Sequence, residues 1–88
     1  MRVWLVRHPR VQIEPGVCYG RQNLPLQPTF EEELERIRAQ FAEPPRLVWS
    51  SPAVHCRFVA TELGGVVRVD ERLSEMDFGD WEGRRWAA

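Results

Sequence analysis

Residues 46–70, RLVWSSPAVHCRFVATELGGVVRVD, decide the fold. Leu47, Val48 and Trp49 form an apolar run that stops at Ser50 and Ser51, the pattern of a strand covered on both faces. Pro52 suits the first turn of a helix, where its missing N–H costs nothing. Cys56, Val59, Ala60 and Leu63 then share one helical face, and Gly64-Gly65 end the helix. VVRVD, residues 66–70, reads as another strand. Strand, helix and strand in this order imply two parallel strands joined by a right-handed crossover.

The flanking segments extend the pattern. Val3, Trp4, Leu5 and Val6 make residues 2–7 a further central strand, ending on Arg7 and His8. TFEEELERIRAQFA, residues 29–42, is a helix: Thr29 and Glu32 form a capping box, and acidic residues fill the first turn. Phe30, Leu34, Ile37 and Phe41 supply its apolar stripe, and Pro44-Pro45 end it. Residues 9–28, broken by Pro9, Pro15, Gly16, Gly20, Pro25 and Pro28, have no period; a loop of about 20 residues usually lines a site. EMDFGDWEGRRWAA, residues 75–88, starts as a loop, turns at Gly79 and reads as the start of a helix capped by Asp80. The order β-α-β-α-β predicts an α/β fold with a mostly parallel sheet. Trp81 and Trp86 call for a packing partner, and three parallel strands leave open edges. The 88 residues therefore read as the N-terminal portion of a larger α/β domain.

Composition narrows the function. Twelve basic residues balance thirteen acidic ones, which is no nucleic-acid or membrane footprint. All twelve are arginines, whose forked donors suit phosphate and carboxylate, although arginine-rich codon usage gives the same count. Cys18 and Cys56 are too few for a disulfide scaffold; with His8 and His55 they come singly, which argues against a metal site. No apolar run is long enough for a membrane span, and Arg2 and Arg7 interrupt any leader-like start, so the expectation is a reduced cytoplasmic protein.

In parallel sheets, ligands bind outside the carboxyl ends of the strands. Arg7 and His8 end the first strand, Ser50 and Ser51 the second, and Glu75 and Asp77 follow the third. A neutral imidazole can attack phosphorus while an arginine holds the phosphate oxygens. The leading N–H groups of the helix at Pro52 would add an anion-binding end. Glu75 could protonate a departing alkoxide. Taken singly, each has an ordinary reading: His8 as a hydrogen-bonded strand end, Ser50-Ser51 as a helix cap, Glu75 as a solvated loop acid.

LVRHP (residues 5–9), SSPAVHC (residues 50–56) and LSEMDFGDWEG (residues 73–83) together resemble the successive motifs of the histidine phosphatase superfamily, which includes the cofactor-dependent phosphoglycerate mutases. The third motif is matched at Leu73, Glu75, Gly79, Trp81, Glu82 and Gly83. PGVCYG (residues 15–20) and EMDFGDWEGRRW (residues 75–86) look most like its α-ribazole phosphatase branch, which serves cobalamin assembly. The resemblance implies a phosphoglycerate mutase-like three-layer α/β/α fold. It implies hydrolysis of a small phosphorylated metabolite through phosphohistidine, with no metal and no cofactor. It makes His8 the catalytic nucleophile, Glu75 the catalytic proton donor and Arg7 a phosphate-binding residue. His55 stands at the position of a second phosphate-binding arginine; Arg57, about 200° further round the helix, cannot take its place. Pro9 stands where the family has glycine, and residues 56–88 hold no histidine to match the family's second catalytic one. Alternatives are mutase-type phosphotransfer, a degenerate phosphate-binding module without turnover, and a fragment with no role of its own.

Overall fold

The computed structural model describes residues 2–87. Helix α1 spans Phe30–Arg38, strand β1 Leu47–Ser50, helix α2 Val54–Leu63 and strand β2 Val66–Val69. Short 3₁₀ turns follow at Glu71–Leu73 and Gly79–Trp81. β1 and β2 pair in parallel, from Leu47 opposite Val66 to Ser50 opposite Val69. The ladder closes with bonds from Val66 N–H to the Arg46 carbonyl and from Asp70 N–H to the Ser50 carbonyl. α2 makes the connection that parallel pairing requires. It stops where Gly64 takes a φ of 88°, a backbone that other residues adopt only under strain. This βαβ unit is the parallel α/β arrangement implied by residues 46–70.

The core is small. Leu34 of α1 packs against Val59 and Leu63 of α2, and Leu26, Ile37, Phe41 and Val48 close around them. The stripe expected on α1 is therefore real, and Phe30 extends it by meeting Phe58 edge-on at 5.6 Å. On the other face of the strands, Leu47 and Trp49 stay about half exposed. Among the described residues the sheet has a helical cover on one face only.

Three local expectations are corrected. Residues 2–7 form no ladder: Leu5 is 97% exposed, and Trp4, about half exposed, meets Phe41 edge-on. Apolar β-branched composition favours extended backbone, but a strand also needs a neighbour in register. The capping box is not made, because Thr29 leaves its side chain outside the cap and its hydroxyl lies 3.5 Å from Glu33 instead of on the backbone. Past Asp80 the chain makes a 3₁₀ turn and no α-helix. There Val17 pairs antiparallel with Arg85, Cys18 N–H bonds to the Arg84 carbonyl and Trp86 N–H to the Gly16 carbonyl. Trp86 packs on Phe78 at 5.4 Å and lies 6.4 Å from Trp81, so the two tryptophans share one aromatic cluster.

Candidate active site

The long loop is built by its own pairings. Val11 bridges Leu26, with Gln12 N–H on the Pro25 carbonyl and Gln27 N–H on the Arg10 carbonyl, which pinches the base of residues 12–25. The tip is fixed by Glu82, whose Oε1 accepts from the N–H of Gly20 at 3.1 Å and of Gln22 at 3.0 Å. Gly20 is glycine for a steric reason: a Cβ there would run into the Met76 carbonyl and the Phe78 ring. Arg21 Nε donates to the Glu75 carbonyl at 3.1 Å, and Asn23 Oδ1 accepts from Val54 N–H at 2.9 Å. The loop is thus tied to both the Glu75 segment and the start of α2.

Between these segments opens a cleft of about 480 Å³. His8, His55 and Glu75 line it, together with Tyr19, Arg21 and Cys56. Arg7 is exposed and is not among the lining residues. Of the residues the resemblance assigns to the site, His8, His55 and Glu75 thus share one cavity while Arg7 stands outside it; Ser51 also lines it, and Ser50 and Asp77 do not. Tyr19 and Arg21 come from the aperiodic loop; the sequence offers them as the loop side chains able to reach a substrate, against the ordinary reading of solvated loop residues, and both line the cleft. The helical spacing predicts Cys56 on the core face, yet it is only half-buried and lines the cleft, whereas Val59, Ala60 and Leu63 are buried.

His8 is half-buried, and its Nδ1 lies 2.7 Å from the Pro9 carbonyl. A carbonyl only accepts, so Nδ1 carries the proton and Nε2 keeps the lone pair. The His55 ring sits edge-on to it, with centroids 4.4 Å apart. His55 is 5% exposed, and its Nδ1 has no hydrogen-bond partner among the described residues. Burial, with the neighbouring His8, holds the His55 imidazole below its usual range, so it is neutral near pH 7. An orphaned buried nitrogen of this kind costs about 1–3 kcal/mol. Burial also pushes the Cys56 thiol up; a Ser51 hydrogen bond opposes this and the Glu75 charge adds to it.

The start of α2 is not the free anion site expected. Val54 N–H is taken by Asn23, and Ala53 N–H by the Ser51 hydroxyl at 3.1 Å. Positive charge at the cleft comes from Arg21 and Arg72, and Arg72 is itself paired with Asp70 at 2.6 Å. That guanidinium holds the Asp70 carboxyl down to about 2. The arrangement places the His8 imidazole, the Glu75 carboxyl group and arginine donors around one cavity, a set suited to phosphoryl chemistry.

The sequence profile of the histidine phosphatase superfamily (branch 1) matches residues 3–88. The chain belongs to the histidine phosphatase superfamily. A relative from Hydrogenobacter thermophilus, described as a candidate phosphoserine phosphatase 2, is 32% identical over 91 aligned positions, covering 97% of this chain and 45% of its own length. The mycobacterial glucosyl-3-phosphoglycerate phosphatase superposes with a TM-score of 0.81 at 27% identity, over 91% of this chain and 41% of that one. A candidate α-ribazole-5′-phosphate phosphatase from Escherichia coli gives 0.78 at 25% identity, over 91% and 43%. This histidine phosphatase chain therefore spans a little under half the length of the relatives it matches. Its parallel strands and flanking helices are the superfamily's α/β fold. No helix among its described residues is long and apolar enough to cross a membrane.

Proposed function

We propose that this chain carries the nucleophile side of a phosphomonoesterase site, with His8 as phosphoryl acceptor and Glu75 as proton donor. The observation that carries the reading is the His8 Nδ1–H bond to the Pro9 carbonyl, which leaves the Nε2 lone pair for a cleft that Glu75 also lines. His8 Nε2 attacks phosphorus, an N–P bond forms as the P–O bond to the alcohol breaks, and Glu75 protonates the alkoxide. Water then attacks the phosphohistidine and releases phosphate, without a metal or cofactor. In this reading Arg21 and Arg72 meet the phosphate oxygens within the cleft, and Arg7, exposed next to His8, is a further phosphate-binding donor.

The substrate is a small phosphorylated metabolite, and the cellular setting we propose is the cytoplasm. The loop motif PGVCYG and the likeness to the Escherichia coli protein favour an α-ribazole 5′-phosphate-like ester. Hydrolysis is preferred here to mutase-type transfer, which needs water kept out, because the relatives are described as phosphatases. A second reading, phosphate binding without turnover, is favoured by His55 at the position of the superfamily's arginine.

We regard residues 1–88 as the N-terminal portion of one histidine phosphatase domain and expect little turnover from them alone. Incubation with radiolabelled acetyl phosphate should give an acid-labile, alkali-stable label that His8→Asn removes. Label retained in His8→Asn refutes the nucleophile assignment. Phosphate bound without label supports the second reading. Sustained hydrolysis of an aryl phosphate, abolished by His8→Ala, refutes the expectation of low turnover.

A further inference from the structure

One feature of the cleft is not used by phosphoryl transfer. A nitrogen of His8, a nitrogen of His55 and the Cys56 sulfur all lie within 4.8 Å of one another. In the sequence His8, His55, Cys18 and Cys56 come singly and match no paired-ligand spacing, which argues against a metal site. Folding removes that objection by bringing the end of residues 2–8 against the first turn of α2.

We infer that His8, His55 and Cys56 form a three-ligand site for a divalent transition ion of zinc type. Two imidazoles and a thiolate select zinc, cobalt or copper over magnesium and calcium, which require oxygen ligands. A tetrahedral ion with bonds of about 2.0–2.3 Å holds its ligand atoms about 3.3–3.8 Å apart, so the side chains close by about 1 Å on binding. His8 already has the supporting contact of a metal-bound histidine: Nδ1–H is held by a backbone carbonyl and Nε2 keeps its lone pair. His55 points to the same conclusion independently, being 95% buried with a nitrogen that no described group satisfies. The burial of a neutral imidazole is unfavourable for an arginine-like phosphate role and favourable for a ligand. The fourth position faces the cleft, where water or a phosphate oxygen completes the shell.

Occupancy takes the His8 lone pair, so an ion here is an inhibitor of the phosphoryl transfer proposed above; that consequence alone rests on the proposed function. The test is a cobalt(II) titration of the reduced 88-residue chain, read by the thiolate-to-cobalt charge-transfer absorption. One ion per chain is expected, displaced by zinc. Cys56→Ala should abolish the charge-transfer band with its circular dichroism unchanged, Cys18→Ala should keep it, and His55→Gln should weaken binding by about tenfold or more. A band that survives in Cys56→Ala, that disappears in Cys18→Ala, or that has equal affinity in urea-unfolded chain overturns the site, as does the absence of any band. Binding in a chain that takes up no phosphoryl label leaves the metal site standing and refutes the proposed function. Label uptake that zinc does not suppress refutes the inhibitory consequence.

Discussion

Replacing Glu82 by Gln tests whether one carboxylate holds the loop tip over the cleft. Glu82 Oε1 accepts from the N–H groups of Gly20 and Gln22 at 3.1 and 3.0 Å, 60 and more residues away in sequence. Gln keeps an acceptor oxygen of the same reach but removes the charge. Hydrogen bonds to a charged acceptor contribute about 1.5–3 kcal/mol each, against about 0.5–1.5 for neutral pairs. The two bonds together should lose about 2 kcal/mol, less some screening because the Gln22 side is exposed. A local opening cheaper by about 1.4–2 kcal/mol accelerates exchange about 10- to 30-fold. Amide hydrogen exchange followed by NMR should show that acceleration at Gly20 and Gln22. The amides of Val66 and Asp70, which close the β1–β2 ladder, should keep their protection. Unchanged exchange at Gly20 and Gln22 would refute the role of the carboxylate. An equal loss at Val66 and Asp70 would show global destabilisation and sink the claim of a locally held loop.

Two further outcomes follow from the same structure. Leu34→Ala removes the α1 residue that meets Val59 and Leu63; at 4% exposure it should cost about 2.7–5 kcal/mol, read as a lowered midpoint in urea denaturation. His55 has a folded pKa below its unfolded value, so the unfolded chain takes up a proton first. Its contribution is fully present above about pH 6.5 and is lost as the pH falls toward the folded value. Urea midpoints measured between pH 7 and 5 should therefore fall, and His55→Leu should flatten that fall; an unchanged slope in the variant would show that His55 is not the group responsible.

Much of the fold was legible along the chain. The βαβ unit was readable because each of its signals is local: the apolar run at Leu47–Trp49, Pro52 ahead of the helix, and Gly64 at its end. The stripe on α1 was readable for the same reason, since residues three and four apart on a helix meet whatever surrounds them. Two of the three mistaken elements depended on a distant partner; the third, the cap at Thr29, lost to a local contact. Val3–Val6 have strand composition, but no described segment pairs with them. Thr29 had the spacing of a cap, and its hydroxyl turned to Glu33. The turn after Gly79 carried a helix signal at Asp80, yet the pairing of Val17 with Arg85 claimed that backbone instead.

The candidate site divides along the same line. The sequence by itself determined which groups are available: a histidine after an apolar run, a serine pair ahead of a helix, an acid after the VVRVD run, and the motifs that mark the superfamily. Residue type and local spacing suffice for that, because capping, periodicity and chain stiffness act over a few residues. Only the tertiary structure decided that His8, His55 and Cys56 meet, that Arg7 stays outside the cleft, and that Asn23 occupies the N–H of Val54. Those outcomes depend on contacts across tens of residues, where loop closure and packing compete and no local pattern records which pairing wins.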